Sequence, residues 1–426
     1  MDEAQEAEGL TGNFRHIFRT LKYRNYRLFF TGQSISLIGT WLQMIAVSWL
    51  VYRLTGSYMM LGLVGFVSRI PTFVVAPFAG VLADRANKHK IIIITQVLSL
   101  LQAAAFAFLI FTGTIQIWHI IVLGVILGII NSFDIPVRQS FVVQMVEDKK
   151  DLGNAIALNS SMVNGARLIG PTIAGLLIAA VGEFWCFSLN ALSFIAVIAG
   201  LLMMRLKPLP VKPKPGSHFK TLKEGFKYAS RHPQISSLLL LLAFVNLLGM
   251  PYQTLLPGFS DKVFQGTSEL FGISIASVKY GLLMGSAGLG ALLGALYLAG
   301  RKKQEGLAKV IVISTFIFGA GLILFSLTRT LLLALPMLVV CGFGMMVLMA
   351  GTNTLLQQVV EEDKRGRVMS FYTMAFMGMQ PFGSLLSGWL AKMYGGPASV
   401  LIGGIASIFA ALYFGRRLLR SSETKF

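Results

Sequence analysis

The segment LKPLPVKPKPGSHFK, Leu206 to Lys220, interrupts a chain that is otherwise strongly apolar. Its prolines and lysines argue against a buried helix, because proline lacks a backbone N–H and lysine is costly in hydrocarbon. Six long apolar runs precede the segment and six follow it. Each approaches the roughly 20 residues that a helix needs to cross a hydrocarbon core of about 30 Å. The sequence therefore predicts an all-α membrane protein of two six-helix bundles.

The composition supports this fold class. The chain has 426 residues, of which 55% are hydrophobic and 13% charged, whereas soluble domains carry about 25% charged residues. The twelve predicted spans cover residues 28–52, 57–82, 91–112, 115–143, 155–180, 184–204, 234–257, 278–299, 307–328, 331–357, 369–393 and 397–415. The predicted domains are an N-terminal segment with an amphipathic helix, a six-helix bundle, a central loop with a second amphipathic helix, a second six-helix bundle and a tail, at 1–27, 28–205, 206–233, 234–415 and 416–426.

The distribution of basic residues predicts the orientation in the membrane. The net charge is +19, and most of the 37 Lys and Arg residues lie before the first span, in the even-to-odd loops and in the tail. By the positive-inside rule these regions and both termini face the cytoplasm, in a bacterial inner membrane. The same distribution argues against nucleic-acid binding. The two cysteines, Cys186 and Cys341, lie in separate halves and predict neither a disulfide framework nor a metal site.

The two halves resemble each other. VVQMVEDKKDLGNAIAL at 142–158 matches LLQQVVEEDKRGRVMSF at 355–371, and each follows the fourth apolar run of its half. Copies in the same orientation indicate a duplicated six-helix bundle, which in transporters forms two halves that rock around a central site.

The loop between the second and third spans, GVLADRANKHK at 80–90, resembles the loop 2–3 signature of the major facilitator superfamily. Gly80, Asp84 and Arg85 match that signature, whereas Lys88 and its neighbours depart from it. The resemblance implies a conformational latch in which Asp84 accepts hydrogen bonds near the N-terminus of the eleventh span, where the helix dipole favours an anion.

A second motif, NGARLIGPTIAG at 164–175, is similar to the helix-5 motif of antiporters in this superfamily. Gly165, Gly170, Pro171 and Gly175 match it. Small residues at this spacing also permit ordinary close helix packing, and that interpretation stays open. The chain as a whole resembles the efflux branch that contains enterobactin-type siderophore exporters and macrolide efflux pumps. This resemblance implies export.

Asp134 and Arg138 are predicted to lie inside the fourth span. They belong to NSFDIPVRQSF, and Asp134 lies ten residues before Gln144, about 15 Å deep at about 1.5 Å per residue. Residues four apart on a helix can pair, and Pro136 between them loosens the helix. The two residues are either a self-neutralising structural pair or a proton-coupling site.

Other polar and soft side chains in the spans are candidates for the wall of a substrate cavity. They are Arg69, Arg167, Gln33, Trp41, Asn246, Gln253, Asn353, Gln357 and Gln380. Such a cavity, cationic on one side and neutral on the other, suits an amphipathic or anionic solute.

The sequence predicts a transporter and not an enzyme. No nucleotide-binding loop, nucleophile–base pair or metal-ligand cluster is evident, and no cofactor is expected. The predicted function is proton-coupled export of a siderophore-like compound or drug, with a small-molecule or lipid substrate, protons and membrane lipids as partners, and a monomeric state. One alternative is a lysophospholipid flippase. Another is a non-transporting membrane sensor, which would be expected to carry an added soluble domain.

Overall fold

The computed structural model describes residues 18–85, 87–146, 148–206, 218–264, 269–270, 273–301 and 306–423. Its membrane helices, named spans 1 to 12 in chain order, are Arg24–Thr55, Tyr58–Arg85, Lys88–Phe111, Ile117–Met145, Leu152–Val181, Glu183–Leu202, Pro233–Val263, Ala276–Ala299, Leu307–Leu327, Leu331–Val359, 362–394 and Gly396–Glu423. The remaining elements are the 3₁₀ turns Phe18–Lys22 and Lys149–Asp151, the helix His218–Arg231, and the paired two-residue strands Glu269–Leu270 and Ile273–Ser274. The predicted all-α fold is confirmed.

Two spans contain interrupted helices in the part of the chain that the structure describes. Span 7 consists of Pro233–Leu248, Tyr252–Gly258 and a π-helical turn Phe259–Val263. Within the described residues, eleven helices are long and apolar enough to cross a membrane by themselves. Span 11 instead consists of Glu362–Thr373, a π-helical turn Met374–Gly378 and Met379–Tyr394. Pro381 lies just beyond this turn and cannot donate a backbone hydrogen bond back into it. The local hydrogen-bond pattern therefore shifts there without ending the span.

Helix packing repeats between the two halves. In the first half span 1 packs against spans 5 and 6, span 4 against spans 2 and 3, and span 3 against span 6. Adding six to each number gives the packing of the second half: span 7 against 11 and 12, span 10 against 8 and 9, and span 9 against 12. The structure thus contains the two pseudo-symmetric six-helix bundles that the sequence repeat predicts.

The halves meet along two symmetric helix pairs, spans 2 and 11 and spans 5 and 8. A Cβ atom built on Gly62 would lie 3.0 Å from the Cα of Gly388, and one built on Gly175 would lie 3.0 Å from the Cα of Gly281. Such backbone approach leaves no room for a side chain. We call the end where spans 6 and 7 are joined the basic end, and the end where spans 1 and 2 are joined the opposite end. Both glycine pairs lie toward the opposite end.

We expect Gly175→Ala to destabilise this interface. The added methyl group would overpack span 8, at a cost of about 1–3 kcal/mol, and the apparent Tm of the purified protein in detergent should fall by several degrees. Gly165→Ala is the matched control in the same span, because a Cβ at Gly165 would meet nothing within 4 Å. Equal loss of Tm in the two variants would contradict a specific contact at Gly175.

At the basic end, the chain preceding span 1 is held by a buried carboxylate. Asp151 lies 2.8 Å from the ammonium nitrogen of Lys22 and 3.3 Å from the guanidinium of Arg19, and it accepts a 2.7 Å hydrogen bond from the hydroxyl of Tyr23. Hydrogen bonds from Lys22 and Tyr23 hold the pKa of Asp151 below its ordinary value. The predicted amphipathic helix before span 1 otherwise falls on residues that lie outside the described ranges.

The amphipathic helix His218–Arg231 packs on the start of span 11. A guanidinium nitrogen of Arg367 lies 3.0 Å from the Glu224 carboxylate, and the ammonium of Lys364 lies over the ring of Tyr228. Phe226 is 65% exposed, as expected for a side chain that meets lipid at the membrane surface. These contacts attach the helix to the second half of the protein.

Candidate transport site

A cavity of about 330 Å³ lies between the two halves, a volume within the range of about 300–1,000 Å³ that is typical of small-molecule sites. Spans 1, 2, 3, 4 and 6 border it from the first half, and spans 7, 8 and 11 border it from the second. Its polar wall consists of Ser36, Thr40, Gln43, Ser48, Ser68, Arg69, Gln96, Ser99, Gln102, Asn131, Asp134, Arg138, Asn190, Gln253, Thr254, Tyr280, Gln380 and Ser384. The first half contributes most of these side chains.

Asp134 is held by one side chain of its own span and two side chains of span 3. One carboxylate oxygen, Oδ2, lies 2.9 Å from Nη2 of Arg138, one helical turn further along span 4. The other, Oδ1, accepts hydrogen bonds of 2.9 Å from the Thr95 hydroxyl and from Nε2 of Gln96, both in span 3. Asp134 is only 3% exposed, but it borders the cavity. The carboxylate is therefore desolvated, paired and reachable from the cavity.

Gln96 contains an acceptor that lacks a hydrogen-bond partner. Its Nε2 donates to Asp134, whereas its Oε1 is buried and makes no hydrogen bond in the structure. A buried amide oxygen without a donor costs about 1–3 kcal/mol. Because Gln96 borders the cavity beside Asp134, a donor that enters the cavity could satisfy this oxygen.

A chain of three buried amides crosses the first half. Nδ2 of Asn190 in span 6 donates to Oε1 of Gln43 in span 1 over 2.7 Å. Nε2 of Gln43 in turn donates to Oε1 of Gln102 in span 3 over 2.8 Å, and Gln102 donates to the carbonyl of Leu123 in span 4. Sequence reasoning missed Gln43, Gln102 and Asn190, although amides inside apolar spans were a signal. The chain fixes four spans to one another around a polar wall.

We expect Gln43→Leu to destabilise the first half. It removes the partners of both Gln102 and Asn190, and each buried unsatisfied group costs about 1–3 kcal/mol, so the apparent Tm in detergent should fall by several degrees. Gln139→Leu is the control, because Gln139 lies in span 4 with an exposed side chain. An unchanged Tm for Gln43→Leu would contradict a structural role for the amide chain.

Five of the predicted site residues border the cavity: Asp134, Arg138, Arg69, Gln253 and Gln380. The predicted i,i+4 ion pair between Asp134 and Arg138 is present in the structure. Whether any of the five takes part in binding or proton coupling stays a prediction.

The other six predicted cavity residues do not border this cavity. Gln33 and Asn246 are buried within the helix packing, at 3% and 1% exposure. Trp41 packs on Gly170, and a guanidinium nitrogen of Arg167 lies 3.9 Å from the sulfur of Met345. Asn353 and Gln357 are hydrogen-bonded to each other near the basic end of span 10. The side chains of these six residues point away from the cavity because the rotation of each helix about its axis is set by packing. The sequence pattern did not define that packing.

The helix-5 motif packs on span 1 of its own half and on span 8 of the other half. A Cβ on Gly170 would lie 2.5 Å from the Cβ of Trp41, and one on Gly281 would lie 2.6 Å from the carbonyl oxygen of Pro171. Together with the approach of Gly175 to span 8, these distances give three of the four motif residues a packing role. Gly165 has no such contact.

The loop 2–3 signature lies where span 2 ends and span 3 begins. Gly80, Asp84 and Arg85 belong to the last part of span 2. The structure describes the helical backbone there but not the side chains. Lys88 begins span 3, whose N-terminus is capped by the Asn87 side chain. The latch contact of Asp84 with span 11 therefore remains a prediction.

Polar contacts join the halves at the opposite end. The Tyr52 hydroxyl donates to the Asp261 carboxylate over 3.3 Å, and the Lys262 ammonium donates to the carbonyl of Gly56 over 3.3 Å. The Tyr58 ring lies against Gly258 and Gly396. Tyr52, Gly56 and Tyr58 belong to the first half, whereas their partners belong to the second. These contacts hold the two halves together at the opposite end.

The described residues do not meet the requirements of a metal site or of a disulfide. They contain no cluster of three or more His, Cys, Asp or Glu side chains that could hold a metal ion. Cys186 and Cys341 are buried thiols in different halves.

The sequence matches the family described as "Transmembrane secretion effector" over residues 17–425. The staphyloferrin A transporter of Staphylococcus aureus (strain NCTC 8325 / PS 47) is 27% identical over 389 residues, covering 91% of this chain and 95% of that protein. Macrolide efflux protein A of Streptococcus pyogenes is 25% identical over 410 residues, covering 92% and 96%. The enterobactin exporter EntS of Shigella boydii serotype 18 (strain CDC 3083-94 / BS512) is 25% identical over 395 residues, covering 92% and 91%.

Solved structures show the same fold. The crystal structure of the nucleoside transporter NupG aligns with a TM-score of 0.71 at 16% sequence identity, covering 94% of this chain and 99% of that one. At this identity the likeness concerns the fold alone. The matches over the whole chain confirm the predicted superfamily and its efflux branch.

Proposed function

Because the chain belongs to the transmembrane secretion effector family of the major facilitator superfamily, we propose that this multi-pass membrane transporter exports a small anionic or amphipathic molecule in exchange for protons. Alternating access would proceed by rocking of the two six-helix halves about the cavity between them. The observation that carries this proposal is the Asp134–Arg138 ion pair, which borders that cavity.

The named relatives support outward transport. One is a macrolide efflux protein and another an enterobactin exporter, so two of the three names state export. The third is a staphyloferrin A transporter. We infer a substrate of comparable kind, a siderophore-like compound or a drug, for this chain.

The geometry at Thr95 supports proton exchange at Asp134. The Thr95 hydroxyl has one hydrogen, yet its oxygen lies 2.8 Å from the carbonyl oxygen of Ile92 and 2.9 Å from Oδ1 of Asp134. When Asp134 is ionised, the hydroxyl can donate to the carboxylate. When Asp134 is protonated, the acid can donate to Thr95, which then donates to Ile92. Both protonation states therefore find partners without movement of a helix.

Arg138 supplies the counter-charge for the ionised state. Its side chain is 25% exposed, whereas that of Asp134 is 4% exposed, so the arginine reaches the cavity more freely. Exchange requires the proton and the substrate to bind in turn. In the cycle that we propose, another conformation separates Arg138 from Asp134, and a proton then replaces the guanidinium on the carboxylate.

We expect Asp134→Asn to abolish transport driven by a proton gradient while leaving substrate exchange measurable. Proteoliposomes with an imposed pH gradient would be tested with enterobactin, staphyloferrin A and a macrolide. Glu183→Gln is the matched control, because it removes a carboxylate that pairs with Arg53 over 2.7 Å at the opposite end, away from the cavity. This control should retain gradient-driven transport.

The double variant Asp134→Asn with Arg138→Gln separates coupling from structure. If it still pumps against a gradient, Asp134 is not the proton carrier. If Asp134→Asn lowers thermal stability and every transport readout together, and the double variant restores them, the pair is structural.

We further propose that the basic end faces the cytoplasm of a bacterial inner membrane. A cysteine at Ser230, an exposed position of the helix His218–Arg231, should resist a membrane-impermeant maleimide in intact spheroplasts and react after lysis. The native Cys186 and Cys341 are buried, so background labelling should be low. Efficient labelling of intact spheroplasts would reverse the orientation.

A further inference from the structure

Arg69 is a cation of the cavity wall that has no acidic partner among the described residues. It is the twelfth residue of span 2, about 16 Å from the start of the helix and thus near mid-membrane. Its side chain is exposed, and it borders the cavity. Among the described residues no carboxylate lies within ion-pair distance of it, since Asp134, the one acid on the cavity wall, pairs with Arg138.

This arrangement gives the cavity an excess positive charge. Of the three charged side chains on the described part of its wall, Asp134 and Arg138 neutralise each other. A lone guanidinium at membrane depth costs at least about 2.5–3.5 kcal/mol on insertion scales. An anion in the cavity would offset that cost.

A tyrosine of the other half borders the same cavity as Arg69. Tyr280 lies in span 8 and interacts electrostatically with Arg69. Its hydroxyl can donate a hydrogen bond to a ligand in the cavity.

Guanidinium and phenol donors together match an anionic oxygen group. The planar guanidinium presents parallel N–H donors that fit a carboxylate or phosphate with two hydrogen bonds. A phenol hydroxyl adds a third donor. A cation would be repelled by Arg69, and a neutral solute would leave its charge without compensation.

We propose that Arg69 and Tyr280 form a subsite for an anionic oxygen group, a carboxylate or phosphate, of the transported molecule. The inference rests on the proposed transport function and specifies the class of its substrate. Because Arg69 belongs to the first half and Tyr280 to the second, the bound anion touches both halves. Binding at this subsite would therefore favour conformations in which Arg69 and Tyr280 can both reach the anion.

The test measures equilibrium binding to the purified full-length protein in detergent by the shift of its thermal unfolding. The probes are hippurate and phenylsuccinate, each paired with its neutral amide. Wild type should bind each anion at least tenfold more tightly than its amide. Arg69→Gln should abolish this preference, Arg69→Lys should retain part of it, and Tyr280→Phe should weaken anion binding three- to tenfold while sparing the amides.

The control is Arg329→Gln, which removes the same charge at the opposite end, where Arg329 donates to the carbonyl of Ser326. It should keep the wild-type preference. Absence of any preference for anions in wild type, or its survival in Arg69→Gln, would overturn the proposal. So would equal loss in Arg329→Gln, which would indicate a general effect of net charge.

A phosphate could also come from a lipid head group. Lysophosphatidylglycerol is therefore tested beside lysophosphatidylcholine, whose head group carries no net charge. Tighter binding of the anionic lipid, with the same dependence on Arg69, supports the subsite and identifies a lipid as its source. Binding is measured without a gradient, so the two proposals can fail separately. If binding does not depend on Arg69 but the protein transports its substrate in response to a proton gradient, only the subsite is refuted. If binding depends on Arg69 but a proton gradient drives no transport, only the proton-coupled function is refuted.

Discussion

The requirement that a buried charge find a partner governs the centre of this protein. Asp134 is the one acid on the described cavity wall, and it is satisfied by Arg138 on its own helix and by Thr95 and Gln96 on the next. The contacts from Thr95 and Gln96 hold span 3 to span 4 beside the cavity. Removing Arg138 would leave the buried Asp134 carboxylate without a counter-charge, which costs far more than the pair contributes.

The two halves share a fold but differ in chemistry. The first half contains the ion pair, the chain of three amides and Arg69, whereas the second presents Tyr280, two glutamines, Thr254 and Ser384 to the same cavity. Glycine-mediated contacts between the halves occur at two symmetric places, and at one of them the Ser277 hydroxyl donates to the carbonyl of Gly175 over 3.2 Å. At the cavity, a half with an ion pair, an amide chain and an arginine thus faces a half whose described wall residues carry no formal charge.

Span number, the duplicated architecture and the Asp134–Arg138 pair could be predicted from the sequence, because each depends on local pattern or on spacing within one helix. The hydrogen bonds of Thr95 and Gln96 to Asp134 could not, since they join helices whose rotation is set by packing. The same reason explains Gln43, missed although it borders the cavity, and Gln357, predicted for the cavity although it bonds Asn353 near the basic end.

The π-helical turn of span 11 has a consequence for comparing this chain with its relatives. Such a turn accommodates one extra residue, and each residue of a helix turns its successors by about 100°. Gln380 and Ser384, which follow the turn Met374–Gly378, owe their direction toward the cavity to that register. A homologue that lacks the extra residue would present a neighbouring position to its substrate. An alignment of span 11 without a gap would then match a residue of the cavity wall with one that faces another direction. Substrate specificity would be assigned to the wrong residues.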